Sequence, residues 1–157
     1  MSKSTFLTLL LLVMLASLME PGTLAQSAGE KKDAAASAQT TKATVYVYRY
    51  KQYMGAALEP SVYCDEKELA RMDNGRYFKV SLEAGKHVFR SNDKQAGVEI
   101  ELKSGENYYI RVELVPGMMK GHGRLVLTQK EQGSYEIKKL KPLDKEKIKD
   151  TSLVTVD

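Results

Sequence analysis

Apolar and polar residues alternate along most of the chain from Ala43 onward. The first such segment, Thr44–Tyr50 (TVYVYRY), is dense in β-branched and aromatic residues and has apolar side chains on both faces, which indicates a central strand. Val98–Lys103 and Asn107–Val115 alternate with the same period of two and have one apolar face each. Further short strands are expected at residues 61–64, 68–72, 76–82, 86–90 and 125–129.

Turn residues separate these segments about every 8–12 positions, which is the spacing of strands in sandwiches and barrels. The strongest turn signal is Asn74-Gly75, a pair that supplies the positive φ angles of a tight hairpin. Together these patterns predict an all-β fold, an antiparallel β-sandwich of about seven strands.

The pattern changes again near the C-terminus. Beyond Gly133 the spacing becomes helical, and Ser134 is expected to cap a short helical segment that ends before Pro142. Lysines and acids are interleaved there, which is typical of a solvated surface. The sequence therefore predicts a β-sandwich domain over residues 43–141 and a charged C-terminal tail over residues 142–157.

The N-terminus is typical of a secretory signal peptide. Lys3 precedes an uncharged apolar run, Phe6–Leu18, which is shorter than the stretch of about 20 residues that a membrane span requires. Small residues at Thr23 and Ala25 suit cleavage before Gln26. We therefore expect residues 1–25 to be removed and the protein to be exported, either to the periplasm or into the medium, with membrane contact only through the transient signal peptide.

A polar segment, Gln26–Lys42, follows. It consists of Ala, Ser, Gln, Lys and similar residues, with no aromatic and no branched aliphatic side chain. Such a segment buries too little apolar surface to offset its ordering entropy, so it is predicted to be a disordered tether.

Charge and cysteine content exclude several classes of protein. The formal net charge is +4, but Lys and Glu alternate along the chain instead of forming the basic face of a nucleic-acid-binding protein. Cys64 is the single cysteine, so no internal disulfide can form. Its place in an apolar alternation favours a small buried side chain, with an intermolecular disulfide or a reactive thiol as alternatives.

Four segments of the domain resemble a bacterial domain-of-unknown-function family, DUF2846. These segments are the Val-Tyr-Val-Tyr-Arg strand at Val45–Arg49, then Asn74–Phe78, Leu82–His87 and Gly105–Ile110. The central segments are also similar to PEGA-type modules of surface proteins. The resemblance implies an envelope-associated β-sandwich without an assigned activity.

One position departs from that resemblance. Similar proteins are often lipoproteins, with a cysteine directly after the small residues of the signal. Here that position is Gln26, which has no thiol to carry a lipid. We therefore expect a protein that is not lipid-anchored.

The loop Pro116–Gly123 (PGMMKGHG) is the first candidate site. Met118, Met119 and His122 are soft or borderline ligands that suit copper, and methionines on a loop also make an adaptable contact surface. Three candidate ligands in one loop are weak support for a metal site. The favoured interpretation is therefore a partner-binding loop with no metal and no cofactor, and a copper or small-ligand carrier is the alternative.

The tyrosines form the second candidate site. Tyr46, Tyr48 and Tyr50 would form a ladder with Tyr109 if the first and the long strand pair. An exposed ladder would suit a glycan or a protein, whereas a buried ladder would be packing, and burial of Tyr46 and Tyr48 is favoured.

Nothing in the sequence has the arrangement of a catalytic site. His87 and His122 are the two histidines, and no serine lies in a Gly-x-Ser-x-Gly turn. His87 starts a strand and is expected to be half-buried and structural. The sequence thus favours a non-enzymatic module that binds an envelope protein or glycan, with a hydrolase assembled by the fold as the least favoured hypothesis.

Overall fold

A computed structural model describes residues 42–92, 97–116 and 121–156. Within these residues the chain forms ten strands and one α-helix. The strands are β1 Lys42–Tyr48, β2 Ser61–Cys64, β3 Lys67–Arg71, β4 Arg76–Glu83, β5 Gly85–Arg90, β6 Gly97–Leu102, β7 Asn107–Val115, β8 His122–Thr128, β9 Lys141–Pro142 and β10 Val154–Thr155, and the helix, α1 Lys130–Ile137, follows β8. The predicted signal peptide and nearly all of the predicted tether lie outside the described residues.

The strands form two sheets, which confirms the all-β sandwich. The first sheet has the order β10-β4-β1-β7-β8, with β9 also paired to β4, and the second has the order β3-β2-β5-β6. The sequence predicted an antiparallel sandwich, but two of the strand pairs are parallel. β1 and β7 pair in parallel, which requires a long crossover connection, and here that connection includes strands of the other sheet. β4 and β9 also form a shorter parallel pair.

The core lies between the two sheets and is formed by side chains at alternate strand positions. No disulfide is present, and Cys64 is a free, buried thiol, as predicted. Each fully buried Val, Leu, Ile or Phe contributes about 1.5–3 kcal/mol relative to an exposed one, so burial stabilises the domain. The buried apolar residues include Ala43, Val45, Val47, Phe78, Val80, Leu82, Ile110 and Val112 in the first sheet and Val62, Cys64, Ala70, Phe89, Ile100 and Leu102 in the second.

The turn at Asn74-Gly75 is present, but it is not a hairpin. It connects β3 of the second sheet to β4 of the first, and β4 pairs with β1. Gly75 has the positive φ that the sequence indicated (72°), whereas Asn74 is not among the residues with positive φ. The Asn74-Gly75 dipeptide specifies a sharp local bend. Packing in the core determines which strand pairs with the one that follows the bend.

A different pair forms a tight hairpin turn. Asp65 and Glu66 connect β2 to β3 and have φ values of 47° and 72°. A β-hairpin with two central residues at positive φ follows the right-handed twist of its strands, although Glu is an unusual residue for this conformation. This turn places the Asp65 side chain beside β5, where its Oδ1 accepts a hydrogen bond from the Val88 N–H at 2.9 Å.

The C-terminal residues belong to the domain, which corrects two predictions. The helix α1 begins at Lys130, four residues before the predicted cap at Ser134. Residues 142–156 are not a tail, because Leu143 and Val154 are buried in the core and β10 pairs with β4. Lys145 and Lys149 are exposed and Lys147 is half-buried, whereas Leu143 and Val154 pack into the core beside β4.

Candidate functional site

Arg49 follows β1 directly and is fully buried. Its guanidinium donates hydrogen bonds to the carbonyl oxygens of Leu58, of Gly55 at 2.8 Å and of Met72 at 3.4 Å. Burial lowers the pKa of this group, while the charge of Asp73 acts in the opposite direction. A buried charge is costly unless it is paired or hydrogen-bonded. Here the carbonyls fill that role and fix the loop that carries two of them.

That loop, residues 50–60, is called the Tyr53 loop below. A second residue holds it from outside. The Asn74 side chain accepts a hydrogen bond from the Gln52 N–H at 2.8 Å and donates one to the Gln52 carbonyl at 2.7 Å. These two bonds imitate a backbone pairing. The Tyr53 loop is thus fixed at Gln52 by Asn74 and at Gly55 and Leu58 by Arg49.

An apolar cavity of about 510 Å³ lies between the Tyr53 loop and the end of β7, within the size range of ligand pockets. It is called the apolar cleft below. Tyr53 is fully exposed and Met54 is 80% exposed at its rim. The cleft is lined by Gln52, Tyr53, Met54, Gly55, Leu58, Leu114, Val115, Pro116 and Gly121.

Gly55 is required for the shape of the apolar cleft. Its φ is 73°, and a Cβ at this position would lie 2.5 Å from the Leu114 side chain. A larger residue would therefore push the Tyr53 loop away from β7 or force Leu114 to move. The close approach makes the floor of the cleft continuous from the loop to the sheet.

The predicted methionine loop leaves the sheet at the apolar cleft. Pro116 and Gly121, which flank it, both line the cleft, while Met118 and Met119 lie outside the described residues. His122 begins β8 and lines an adjoining cavity of about 180 Å³ together with Leu58 and Leu114. Partner binding by Met118, Met119 and His122 stays a prediction, as does the copper alternative.

The tyrosine ladder forms, but it faces a helix. β1 and β7 pair with Tyr46 opposite Tyr109, and the two rings stack with centroids 5.0 Å apart. Tyr48 is fully buried and Tyr109 is 7% exposed. Gly133 of α1 packs directly on Tyr109, since a Cβ there would lie 2.3 Å from the Tyr109 Cβ. The favoured burial of Tyr48 is confirmed, whereas Tyr46 is half-buried. The proposed surface role of Tyr48 and Tyr109 does not fit this structure because α1 covers both rings.

Glu136 of α1 joins the helix to the sheet. The Tyr48 hydroxyl donates to its carboxylate, Gln132 donates to its Oε1 at 2.7 Å, and an Arg111 nitrogen lies 3.6 Å from its Oε2. Burial acts to raise the pKa of Glu136, but these hydrogen bonds and the Arg111 charge outweigh it, so the pKa is lowered. Burial and the Glu136 carboxylate raise the pKa of Tyr48 far above its usual value. This network stabilises the helix on the sheet.

The sequence did not reveal a third group of side chains. Cys64, Asp65 and His87 have ligand atoms that all lie within 4.8 Å of one another. His87 is half-buried, as expected, but its neighbours come from the hairpin turn between β2 and β3. The available signal was weak: Cys64 and Asp65 end one predicted strand and His87 begins another, and only the pairing of β2 with β5 brings them together.

Comparison with known proteins identifies the family. The model for "Protein of unknown function (DUF2846)" matches residues 39–124, more than half of the chain. The chain belongs to the DUF2846 family. The matched segment contains Arg49, Asn74, the Tyr53 loop and His87, and it ends before α1.

A curated relative adds no activity. An uncharacterized protein of Haemophilus influenzae is 29% identical over 98 residues, which are 61% of this chain. This chain spans 58% of the length of that relative. No solved structure matches the chain. In the described part of the chain, no helix has the length and apolar character needed to cross a membrane.

Proposed function

We propose that this protein is an exported, non-enzymatic β-sandwich module that binds an apolar segment of an envelope protein in the apolar cleft. One observation carries the proposal: Tyr53 and Met54 are exposed at the rim of an apolar cavity, on a loop that Arg49 and Asn74 hold in place. Exposed apolar surface that borders a pocket is characteristic of interaction sites.

The composition of the cleft favours a protein over a glycan. Its lining contains two polar side chains, Gln52 and the tip of Tyr53, among apolar neighbours such as Leu58, Leu114 and Pro116. A sugar presents many hydroxyl groups, each of which loses water on binding and needs a hydrogen-bonding partner. An apolar protein side chain needs only shape and apolar contact, which Met and Tyr supply well.

The fixed Tyr53 loop supports binding in a second way. A loop that is ordered before the partner arrives loses less conformational entropy on binding. The hydrogen bonds from Arg49 and Asn74 order residues 52–58 in the free protein. The charge of Arg49 is used inside the loop and is not presented to the partner.

Two features support a non-enzymatic role. Burial and the Asp65 carboxylate raise the pKa of the Cys64 thiol to about 12, which is the reverse of the lowered pKa of a nucleophilic cysteine. The His87 Nε2 lies 3.0 Å from the Glu83 carbonyl and is therefore not free to accept a proton from a nucleophile. The proposal of export is supported by the N-terminal sequence. The exposed Tyr53 and Met54 at the rim of the cleft suit a protein partner at the cell envelope.

Site-specific photocrosslinking in the producing cells tests the proposal. A photoreactive phenylalanine derivative replaces Tyr53 in one strain and Tyr135 in the other. Tyr135 is the matched control because it is a 59% exposed tyrosine on α1, away from the residues that line the cleft. We expect a discrete protein adduct from position 53 and none from position 135, and Tyr53→Ser with Met54→Ser should weaken capture of that protein by the intact chain.

The proposal fails if position 53 gives no adduct while the substituted protein is folded and exported. Equal adducts at both positions would indicate non-specific contact. Loss of capture after a change at Tyr135 instead of at Tyr53 would place the interface on α1.

A further inference from the structure

Three potential ligand atoms converge at the Asp65–Glu66 turn. The Cys64 Sγ lies 3.6 Å from the Asp65 Oδ2, and the His87 Nδ1 lies 2.6 Å from the same oxygen. The strand register explains the arrangement. Cys64 pairs with Phe89, and His87 lies two residues before Phe89 on the same face of β5. The group is at the far end of β2 from the Tyr53 loop, so it is separate from the site of the proposed function.

The remaining polar atoms of the two hydrophilic side chains are already hydrogen-bonded to the backbone. The His87 Nε2 donates to the Glu83 carbonyl at 3.0 Å, and the Asp65 Oδ1 accepts from the Val88 N–H at 2.9 Å. Histidines that bind metals usually donate their second ring N–H to a carbonyl or carboxylate in this way, which orients the ring. The same arrangement here leaves the Nδ1 of His87 and the Oδ2 of Asp65 in contact with each other, with the Cys64 Sγ within 4.8 Å of both.

The distances suit a tetrahedral ion. With bonds of about 2.3 Å to sulfur and about 2.1 Å to oxygen and nitrogen, tetrahedral geometry separates a sulfur and an oxygen ligand by about 3.6 Å and an oxygen and a nitrogen ligand by about 3.4 Å. The Sγ–Oδ2 distance is already 3.6 Å, and the Nδ1–Oδ2 distance must increase from 2.6 Å by about 0.8 Å. That change requires the hydrogen bond between His87 and Asp65 to open, with small side-chain rotations.

We propose that Cys64, Asp65 and His87 bind a zinc-type divalent cation, with a water molecule in the fourth position. Sulfur, nitrogen and oxygen ligands of these three kinds are the ones that Zn²⁺ takes in proteins. A thiolate and a carboxylate balance the two positive charges, which suits a site whose cysteine is buried. The Asp65 side chain is 49% exposed and gives the ion a route from solvent.

Binding displaces two protons. The S–H bond of Cys64 breaks, the sulfur keeps the electron pair and donates it to the metal, and the proton passes to water. The His87 Nδ1 carries the proton that it donates to the Asp65 carboxylate in the metal-free protein. That N–H bond also breaks, the nitrogen donates its electron pair to the metal, and the second proton passes to water. The apparent affinity should therefore increase with pH, by up to about a hundredfold per unit where both protons are released.

Titration of the metal-free full-length chain with Co²⁺, followed by displacement with Zn²⁺, tests the site. Co²⁺ reports on the cysteine because a thiolate–cobalt bond gives a charge-transfer absorption that other ligands do not give. We expect one equivalent of Co²⁺ to bind, the band to be lost on addition of Zn²⁺, and the thermal midpoint to increase with Zn²⁺ because the ion binds only the folded state.

Variants assign the ligands. Cys64→Ala should abolish the charge-transfer band, and Asp65→Asn and His87→Gln should each lower the affinity at least about tenfold, which is a ligand's contribution of 1.4 kcal/mol or more. Asp65→Asn is the informative variant for folding, because asparagine tolerates positive φ and keeps the bond to Val88. The matched control is Glu66→Gln, which removes the neighbouring exposed carboxylate and leaves all three ligands in place.

Each result decides the question. The absence of a thiolate band in the folded wild-type protein overturns the site, as does a band of full strength in His87→Gln. Loss of binding in His122→Gln with retention in His87→Gln would place the metal in the methionine loop instead. None of these outcomes depends on whether the apolar cleft binds a partner.

Discussion

The hydroxyl of Tyr48 on β1 donates a hydrogen bond to the carboxylate of Glu136 on α1, across 88 positions of the chain. Tyr48 is fully buried and Glu136 is 7% exposed, so neither group can exchange this partner for water without movement of the helix. A hydrogen bond to a buried charge is worth more than one between neutral groups. The contact therefore links the position of the helix to the central strand of the first sheet.

Tyr48→Phe should lower the free energy of unfolding by about 1.5–3 kcal/mol, because the buried Glu136 carboxylate loses a donor. Urea denaturation measures the change. Tyr46→Phe is the control, since the described residues offer the Tyr46 hydroxyl no hydrogen bond and its contacts are the Tyr109 ring and Lys79. It should change the unfolding free energy by less than about 0.5 kcal/mol. Equal losses in the two variants would contradict the role assigned to Glu136.

The same carboxylate should make stability depend on pH in the acidic range. The pKa of Glu136 is lower in the folded state, so its ionised form stabilises the fold above the unfolded pKa, near about 4.3, and this contribution is lost as pH falls through the folded pKa. Glu136→Gln should therefore be less stable than the wild type at pH 7, and the difference should shrink below about pH 4.3.

Denaturation curves across this pH range would measure that difference. Glu131→Gln, on the same helix but exposed, should follow the wild-type pH profile. A constant difference between wild type and Glu136→Gln at all pH values would show that Glu136 acts by packing and not by charge.

Gly133→Ala should destabilise the domain although alanine favours helices by about 1 kcal/mol over glycine. The added methyl group would lie 2.3–2.7 Å from three atoms of Tyr109, so the helix must move away from the sheet. Overpacking of this kind costs about 1–3 kcal/mol and should exceed the gain in propensity. Thermal unfolding compares it with Ser134→Ala, the neighbouring position, which should be close to neutral. A raised midpoint in Gly133→Ala would refute the close packing.

Asn74→Ala should loosen the Tyr53 loop with little effect on the core. The substitution removes both hydrogen bonds to Gln52, and the exposed site limits the loss of stability to about 1 kcal/mol. Hydrogen exchange should become faster at the Gln52 amide and stay unchanged at core amides such as that of Val80. Asn107→Ala, an exposed asparagine at the start of β7, is the control. If the exchange rate of the Gln52 amide is unchanged in Asn74→Ala, the two Asn74 hydrogen bonds do not hold the Tyr53 loop in place.

If the protein is exported, as proposed, its mature form should begin at Gln26 and carry no lipid. Small residues precede Gln26, and this position lacks the cysteine that lipid attachment requires. Intact mass spectrometry of the secreted or periplasmic protein measures both properties. Retention of residues 1–25, or an added acyl mass, would contradict the prediction.

Local patterns predicted the strands better than their partners. The alternation in Thr44–Tyr50 and Asn107–Val115 identified two central strands because a buried face leaves a period of two in the sequence. Their parallel pairing was not predictable, since it depends on which connection crosses to the other sheet. Asn74-Gly75 likewise indicated a bend but not that the bend joins two sheets.

The start of the helix and the sites were not predicted, for related reasons. The helical spacing was predicted only beyond Gly133, yet Gly133 lies inside α1, where the absence of a Cβ lets the Tyr109 ring approach. The burial of Arg49 has no local signal, because its guanidinium donates hydrogen bonds to carbonyl oxygens of the loop that follows β1. Sites assembled from backbone groups leave no trace in the residue pattern.

The position of β1 between β4 and β7 also has a consequence for how the chain folds. Tyr46 is opposite Lys79 on one side and Tyr109 on the other, so the central strand has its second neighbour only when residues far along the chain have been synthesised. Such non-local pairings give a high contact order and slow folding. If the protein is exported, as proposed, and crosses from its N-terminus, β1 enters the new compartment with one edge unpaired. During that interval, the chain depends on chaperones or on rapid pairing with β4 to avoid aggregation.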